Sequence, residues 1–141
     1  IDIIRNVLIY FDAHPFAIDD IRTLEQRMKM SVLNEDIYLI LNLIYLHESN
    51  EYIQQQQISF YLMENILITI QEYRVNAVFA TIKQRLAKKP SLSRGRIKKL
   101  KIDYLFYCLL NVVIENYVAV LDSILQETDR IDKELMHSAR S

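Results

Sequence analysis

Glycine and cysteine are nearly absent from this sequence, and each shortage excludes one kind of bond or binding site. The chain of 141 residues has one glycine, one cysteine, two prolines and no tryptophan. A single cysteine, Cys108, cannot form a disulfide within the chain, which favours a reducing compartment. With only one glycine, a glycine-rich loop that wraps phosphate groups is nearly excluded.

Patterns typical of catalysis are missing as well. The three histidines, His14, His47 and His137, are far apart in the sequence and have no evident carboxylate partner. Cys108 lies within an apolar helical pattern, which favours inert packing over a nucleophilic role. No nucleophile elbow and no Walker-type lysine is found. We therefore expect that the chain is not an enzyme.

Charge and hydropathy indicate no general partner. The formal net charge is −1, so the chain as a whole has no electrostatic preference for nucleic acid or anionic membrane. Basic residues crowd only into residues 83–101, which lack the interleaved aromatic side chains that stack on bases. We interpret that stretch as a solvated linker and expect no nucleic-acid partner. No uninterrupted apolar run reaches the ~18 residues that would span a bilayer, and no signal-peptide pattern is found.

The sequence does contain a block of candidate strands between residues 36 and 71. Residues 36–46 are apolar on both alternating faces. One face would carry Ile37, Leu39, Leu41 and Leu43, and the other Tyr38, Ile40 and Ile44. Such a strand belongs in the middle of a layered protein, with cover on each side. Residues 57–63 and 66–71 predict a hairpin closed by Glu64-Asn65, because asparagine tolerates the positive φ of a tight turn.

Helical periodicity surrounds these strands and completes the predicted fold. Helices are predicted at residues 1–11, 16–24 and 77–87, a further short strand at residues 29–33, and a polar loop at residues 47–57. These elements predict an α/β protein of the α+β kind. Helices before and after the strands would cover both faces of a mixed or antiparallel central sheet, and a long C-terminal helix would follow.

That long helix is predicted to begin at Asp103, as its N-cap, and to end near Met136. Its length would be about 50 Å at ~1.5 Å per residue. The first half is apolar and the second acidic, so we expect the first to pack on the core and the second to project. We divide the chain into an α/β part, residues 1–101, and this projecting helix, residues 102–141, of the same domain. The chain begins within helical periodicity and ends just after it, as expected for a piece of a longer protein or for a chain whose disordered ends have been trimmed.

An acidic pair, Asp19-Asp20, lies within the second predicted helix. Two adjacent carboxylates could bind a hard divalent cation, because Mg²⁺ is held by one or two carboxylates and keeps several waters. Taken alone, an acidic dipeptide on a helix is more often solvated surface, so the pair by itself does not decide the function.

The residues around this pair resemble a known family. Residues 14–21 read His-Pro-Phe-Ala-Ile-Asp-Asp-Ile, and residues 26–29 read Gln-Arg-Met-Lys. Both are similar to the cytosolic domain of CorA-type magnesium channels. There the pattern is His-Pro-Leu, a variable apolar pair, an acidic pair and Ile, and then Gln-Arg-Pro-Lys.

Two later motifs extend the resemblance. Gln-Ile-Ser at residues 57–59 is similar to the family's Gln-Val-Ser, and Asp-Tyr-Leu-Phe-Tyr at residues 103–107 is similar to the start of its long helix. With the acidic helix that follows, the resemblance runs from about residue 11 to residue 135. The sequence departs from the family at Met28, where proline is frequent. It also departs at Asn111, where some members carry an aspartate that contributes to a metal site.

The resemblance implies that the full-length protein is a homopentameric channel for Mg²⁺ at the inner cell membrane, with Co²⁺ or Ni²⁺ as further ions. The stalk, the two transmembrane helices and a Gly-Met-Asn signature would lie outside this sequence. The chain itself would be a soluble cytosolic fragment, folded as an α/β/α sandwich, that meets the membrane only through them. In the family, this domain senses cytosolic Mg²⁺ between protomers, and bound metal favours the closed channel.

The same resemblance implies a metal site. Asp20 would be the ligand, Asp19 an auxiliary ligand and Asn111 a further auxiliary one, while a carboxylate from the neighbouring protomer's stalk helix would complete the site. Two alternatives remain open. The first is a related transporter of Zn²⁺, or of Co²⁺ or Ni²⁺, although oxygen ligands suit Mg²⁺ and no His/Cys cluster favours zinc. The second is a stand-alone soluble interaction domain with a basic loop at residues 83–101.

Overall fold

The computed structural model describes residues 2–23, 27–46, 52–71, 78–87 and 101–139 of the chain. Its elements are α1 (Ile3–Tyr10), α2 (Pro15–Arg22), β1 (Lys29–Leu33), β2 (Asp36–Leu46), β3 (Ile53–Leu62), β4 (Leu67–Gln71), α3 (Ala80–Ala87) and α4 (Ile102–Ser138). The predicted combination of a sheet, covering helices and a long C-terminal helix is confirmed. Most of the basic stretch predicted to be a linker lies outside the described residues.

The four strands form one antiparallel sheet in the order β1-β2-β3-β4. Leu39, in the middle of β2, lies opposite Met30 of β1 on one side and opposite Phe60 of β3 on the other. β2 is the longest strand, with 11 residues, and it is an inner strand of the sheet. Of the two sheet types that the sequence left open, the antiparallel one is therefore present.

Both faces of β2 are covered, as its apolar pattern predicts. The face that we call the α2 face buries a cluster of Leu8, Ala13, Ala17, Ile18, Ile21, Tyr38, Ile40 and Tyr61. The opposite face, which we call the α4 face, buries a cluster of Leu39, Leu43, Ile58, Phe60, Phe79, Ile82, Leu109 and Val113. Neighbouring residues of β2 belong to different clusters, because successive side chains of a strand point to opposite faces.

Strand β3 begins earlier than the sequence predicts. The polar loop predicted at residues 47–57 is wrong in its second part, since β3 already starts at Ile53. In this added part, Gln54 lies opposite Tyr45 of β2. The backbone of β2 offers hydrogen-bonding groups along its whole length, and groups shielded from water need partners. This pairing outweighs the cost of placing the Gln56 amide, which is 4% exposed, in the core without a hydrogen-bond partner.

The β1–β2 and β3–β4 connections each contain an asparagine, but only one of the two has a positive φ. Asn34, between β1 and β2, has a φ of 58°, a region that asparagine adopts more readily than most residues. The turn predicted at Asn65 is present, and the Met63 N–H donates to the Ile66 carbonyl over 2.8 Å. The positive φ predicted for Asn65 is wrong, since among the described residues only Asp12 and Asn34 have one. Four residues, rather than two, separate β3 from β4, so the chain can reverse without it.

Helix α4 spans 37 residues, and its cap differs from the prediction. Its N-cap is Lys101, with no side-chain hydrogen bond to the helix, whereas the predicted N-cap Asp103 lies in the first turn. A carboxylate in that position still favours the helix, because it lies near the positive end of the helix dipole. The first half of α4 supplies the buried residues Leu109, Val113 and Val120. In the second half, the large apolar side chains Leu121, Ile124, Leu125, Ile131, Leu135 and Met136 are all exposed.

By length and composition, α4 is also the one helix among the described residues that could cross a membrane. The criterion applied to the sequence missed it, because Asn111 and Glu115 interrupt the apolar run. A core helix of a soluble protein passes the same test. Only 17% of the apolar window of α4 is buried, although Leu109 and Val113 pack against the sheet.

A buried tyrosine ties the start of α2 to the sheet. The Tyr61 hydroxyl donates to Asp36 Oδ2 over 2.8 Å and accepts from the His14 N–H over 2.9 Å. His14 is the N-cap of α2, where its Nδ1 accepts from the Phe16 N–H, and Pro15 occupies the first helical turn. Because Tyr61 in β3 holds the residue that caps α2, this helix has a fixed starting point on the sheet.

Truncating Leu43 in the centre of β2 should destabilise the fold strongly. Leu43 is 1% exposed, and Leu43→Ala should lower the free energy of unfolding by ~2–5 kcal/mol through lost burial and a residual cavity. Leu41→Ala is the matched control, since Leu41 lies on the same face but is only half-buried and should cost less. Denaturant unfolding measures both changes, and an equal cost for the two variants would contradict the burial difference.

Alkaline pH should destabilise the fold through Tyr61. Burial raises the pKa of Tyr61 to about 12, from an ordinary value of 10.0. The unfolded chain therefore loses this proton at a lower pH than the folded one. The contribution of Tyr61 to the free energy of unfolding is complete below pH 10 and is lost as the pH rises toward 12. Between pH 10 and pH 12, the free energy of unfolding should fall less in Tyr61→Phe than in the unchanged chain. Identical pH slopes would rule out this role of Tyr61.

Candidate functional site

Helix α2 buries three apolar residues against the sheet and leaves its two carboxylates at the margin. Ala17, Ile18 and Ile21 are buried. At 3.6 residues per turn, the neighbouring side chains of Asp19 and Asp20 leave the helix about 100° apart. Asp19 is exposed, whereas the Asp20 side chain is 26% exposed and meets residues of the sheet. The predicted pair is therefore two carboxylates in different surroundings.

Asp20 makes two short contacts through one oxygen. Lys29 Nζ lies 2.6 Å from Asp20 Oδ2, and the Tyr38 hydroxyl donates to the same oxygen over 2.5 Å. The Lys29 ammonium also lies 5.8 Å from the centre of the Tyr38 ring, within reach of a cation–π interaction. We call these three residues the Asp20–Lys29–Tyr38 cluster. Neither contact uses Asp20 Oδ1.

The register of the sheet brings Lys29 and Tyr38 together. Lys29 in β1 lies opposite Ile40 in β2, so its side chain shares the α2 face with those of Ile40 and Tyr38. Residues diagonal to each other across a strand pair are near enough for long side chains to meet. Tyr38 is 4% exposed, and α2 covers its ring. Asp20, on that covering helix, can then reach both the hydroxyl and the ammonium.

The charges in this cluster stabilise each other. Burial raises the pKa of Asp20, but the hydrogen bonds from Lys29 and Tyr38 and the charge of Lys29 outweigh it, so that the pKa lies below the ordinary 3.8. The hydrogen bond to Asp20 is the main cause that raises the pKa of Lys29 above 10.5. The two directions agree, and both groups are charged throughout the neutral pH range.

Asn111, the third residue of the predicted site, lies elsewhere in the chain's fold. Its Nδ2 donates to Glu115 Oε1 over 2.6 Å along α4. It lines a cavity of about 490 Å³ between α3 and α4. Since α4 covers the face of the sheet opposite to α2, a single chain does not bring Asn111 to Asp20.

Sequence reasoning missed Lys29 and Tyr38 as partners of Asp20. Lys29 is part of the Gln-Arg-Met-Lys motif, and the alternation of β2 correctly predicts the face on which Tyr38 lies. The missing information was the register of β1 against β2, which decides which residue of β1 lies beside Tyr38. A lysine on a short strand that pairs with β2, near an acidic pair on a covering helix, is the signal that could have suggested the contact.

The donor set suits a hard cation in part. Carboxylate oxygens of the kind that Asp19 and Asp20 offer are ligands that Mg²⁺ prefers. In the part of the chain that the structure describes, no group of three or more His, Cys, Asp or Glu residues is placed to hold a metal ion. A cation at Asp20 would therefore take most of its ligands from water or from another molecule, and it would meet a carboxylate that already pairs with Lys29.

Comparison with known proteins gives one family match over nearly the whole chain. The family described as CorA-like Mg²⁺ transporter protein matches residues 4–141. The chain is also similar to the cobalt/magnesium transport protein CorA of Thermotoga maritima, with 26% identity over 135 residues. That match covers 96% of this chain but only 37% of the relative. The family resemblance found in the sequence motifs is thus confirmed.

Acid titration should expose the pairing of Asp20. The side-chain carboxyl of Asp20 should titrate below 3.8 in the folded chain, and Lys29→Gln should move its pKa upward because the largest favourable contact is lost. Because this pKa is lower in the folded chain, the ionised Asp20 stabilises the fold at pH values above 3.8, the pKa in the unfolded chain. The stabilisation is lost as the pH falls below that value. Carbon NMR of the carboxyl measures the pKa, with exposed Lys83→Gln as the control. A pKa of Asp20 that does not move in Lys29→Gln would contradict the ion pair.

Proposed function

Because this chain belongs to the CorA-like Mg²⁺ transporter family, we propose that it is part of the cytosolic region of a divalent-cation channel, in which it senses Mg²⁺ through Asp20. The observation that carries the proposal is a family match over residues 4–141 combined with a partly exposed carboxylate, Asp20, at the junction of α2, β1 and β2. The proposed role is regulatory, and no catalytic role is proposed.

The surroundings of Asp20 support a sensor of modest affinity. Its side chain is 26% exposed, so solvent and a neighbouring molecule can reach it. Asp19 adds a second, exposed carboxylate on the adjoining helix surface. Mg²⁺ gives up its waters reluctantly and is usually held by one or two carboxylates, which suits a site that one chain begins and a neighbour completes.

Sensing would act on the contact between protomers. Asp20 and Asp19 of one protomer would face acidic groups of the next, and these like charges repel when no cation is present. A bound cation supplies positive charge that offsets this repulsion and favours the assembly in which the carboxylates are close. Asp20 thereby shifts the population of conformations, because its affinity for the cation differs between them. Asn111, which carries no charge, would contribute at most a carbonyl oxygen elsewhere on the protomer.

The transported ion is proposed to be Mg²⁺ or Co²⁺. The family description names Mg²⁺, and the similar protein of Thermotoga maritima is a cobalt/magnesium transport protein. The candidate ligands in this chain are oxygens, which suit Mg²⁺ better than Zn²⁺ as the ion that is sensed. A transporter of Zn²⁺ or Ni²⁺ is the less favoured reading, since no His/Cys cluster is found among the described residues.

The wider arrangement is part of the same proposal. The chain covers 37% of the Thermotoga maritima relative, so stalk and transmembrane helices would be supplied by further sequence of a homopentamer at the inner membrane. Residues 1–101 would form the α/β part and residues 102–141 a helix that extends from it. The exposed apolar residues in the second half of α4, such as Leu125 and Leu135, favour a further partner for that helix over a free end.

Replacing Asp20 in the full-length protein tests the sensing role. Limited proteolysis in rising Mg²⁺ should show protection of the unchanged protein, with a midpoint that moves to at least about fivefold higher Mg²⁺ in Asp20→Ala, the lower end of typical coupling energies. Glu64→Ala is the matched control, because Glu64 is an exposed carboxylate in the β3–β4 turn, away from α2. If Asp20→Ala and Glu64→Ala keep the same midpoint as the unchanged protein, Asp20 is a surface residue and the sensing proposal fails.

A further inference from the structure

The Asp20–Lys29–Tyr38 cluster contains its own cation. Lys29 Nζ is 2.6 Å from Asp20 Oδ2, and the Tyr38 hydroxyl donates to the same oxygen over 2.5 Å. The strand register places Lys29 there through backbone pairing, not through a chance surface contact. A carboxylate with such partners is already neutralised and hydrogen-bonded before any metal arrives.

We infer that Lys29 is a built-in competitor of the divalent cation at Asp20, and that it sets the cation concentration to which the proposed sensor responds. This inference rests on the proposed role of Asp20. A cation that takes Asp20 must either displace the Lys29 ammonium or bind through Oδ1 beside it. Displacement costs the ion pair, and binding beside it brings like charges close together, so both routes weaken the apparent affinity.

The cluster is built so that displacement is feasible. The Lys29 side chain is 34% exposed, so its ammonium can return to water when it leaves Asp20. Ion pairs of this partly exposed kind are weak, with a median of ~0–1 kcal/mol, which bounds the competition at a factor of up to about five. Tyr38 is buried against α2 and stays in place, so its hydroxyl keeps holding Oδ2 after Lys29 has left.

Competition by Lys29 and a merely structural ion pair predict opposite changes in cation affinity when Lys29 is removed. If Lys29 served only to hold α2 on β1, its loss would loosen the site and leave cation affinity unchanged or lower. If Lys29 competes, Lys29→Gln raises the affinity of Asp20 for the cation, by about fivefold at most. Lys29→Arg retains the charge and the length needed to reach Asp20, so it should bind the cation about as the unchanged chain does.

The test is cation binding to the 141-residue chain and its variants, with Mn²⁺ as a paramagnetic probe. Mn²⁺ broadens the NMR signals of residues near its site even at millimolar affinity, and competition with Mg²⁺ then gives the affinity for Mg²⁺. Arg22→Gln is the matched control, because Arg22 is a cation on the same helix that pairs with Asp2 and not with Asp20. Arg22→Gln therefore shows the effect of losing a positive charge near Asp20 while Lys29 is still present.

The expected result is tighter binding around Asp20 in Lys29→Gln than in the unchanged chain, with Arg22→Gln and Lys29→Arg close to the unchanged chain and Asp20→Asn much weaker. Weaker binding in Asp20→Asn together with unchanged or weaker binding in Lys29→Gln would overturn the competition and leave the sensing role of Asp20 intact. Equal binding in Asp20→Asn and the unchanged chain would overturn both. If Lys29→Gln and Arg22→Gln gain the same affinity for the cation, the effect comes from net charge alone and the competition is overturned. An absence of broadening in every variant would also overturn it.

Discussion

Burial of β2 on both faces is the constraint on which the rest of the structure depends. A strand with apolar side chains on both sides needs neighbours along both edges and a layer over each face. β1 and β3 meet the first need, while α1 and α2 on one side and α3 and α4 on the other meet the second. The extension of β3 into a run of glutamines has the same origin, because the backbone of β2 requires a partner along its length.

The candidate site is a by-product of that layering. The alternation that buries Ile40 also turns Tyr38 toward α2, and the register of β1 adds Lys29 to the same face. Helix α2 must cover this apolar face, so its acidic residues are forced to its margins. Asp20 consequently meets a tyrosine hydroxyl and an ammonium at the edge of the core, where both contacts are short and partly shielded from water.

Local patterns in the sequence predicted the elements and the two faces of β2, because side-chain alternation is a property of the strand itself. The same patterns did not predict features that depend on a contact with a distant part of the sequence. The start of β3 depends on β2, so the glutamines were assigned to a loop. A two-residue turn predicts a positive φ at Asn65, but the connection between β3 and β4 is longer and Asn65 has none. Asp20 was singled out through a motif, but Lys29 and Tyr38 required the pairing register, which no single stretch of sequence contains.

The strands follow one another in sequence order across the sheet. As a result, contacts on the two sides of the core join residues at very different separations along the chain. The hydrogen bond from Tyr38 to Asp20 joins residues 18 positions apart, whereas that from the Tyr117 hydroxyl to the Asn42 carbonyl joins residues 75 apart. The entropy lost on closing a loop grows with its length, and local contacts form faster than distant ones. The α2 side is therefore the local half of the core and the α4 side the distant half. A chain still emerging from synthesis, or one whose α4 has come away, retains every residue needed to assemble the Asp20–Lys29–Tyr38 cluster.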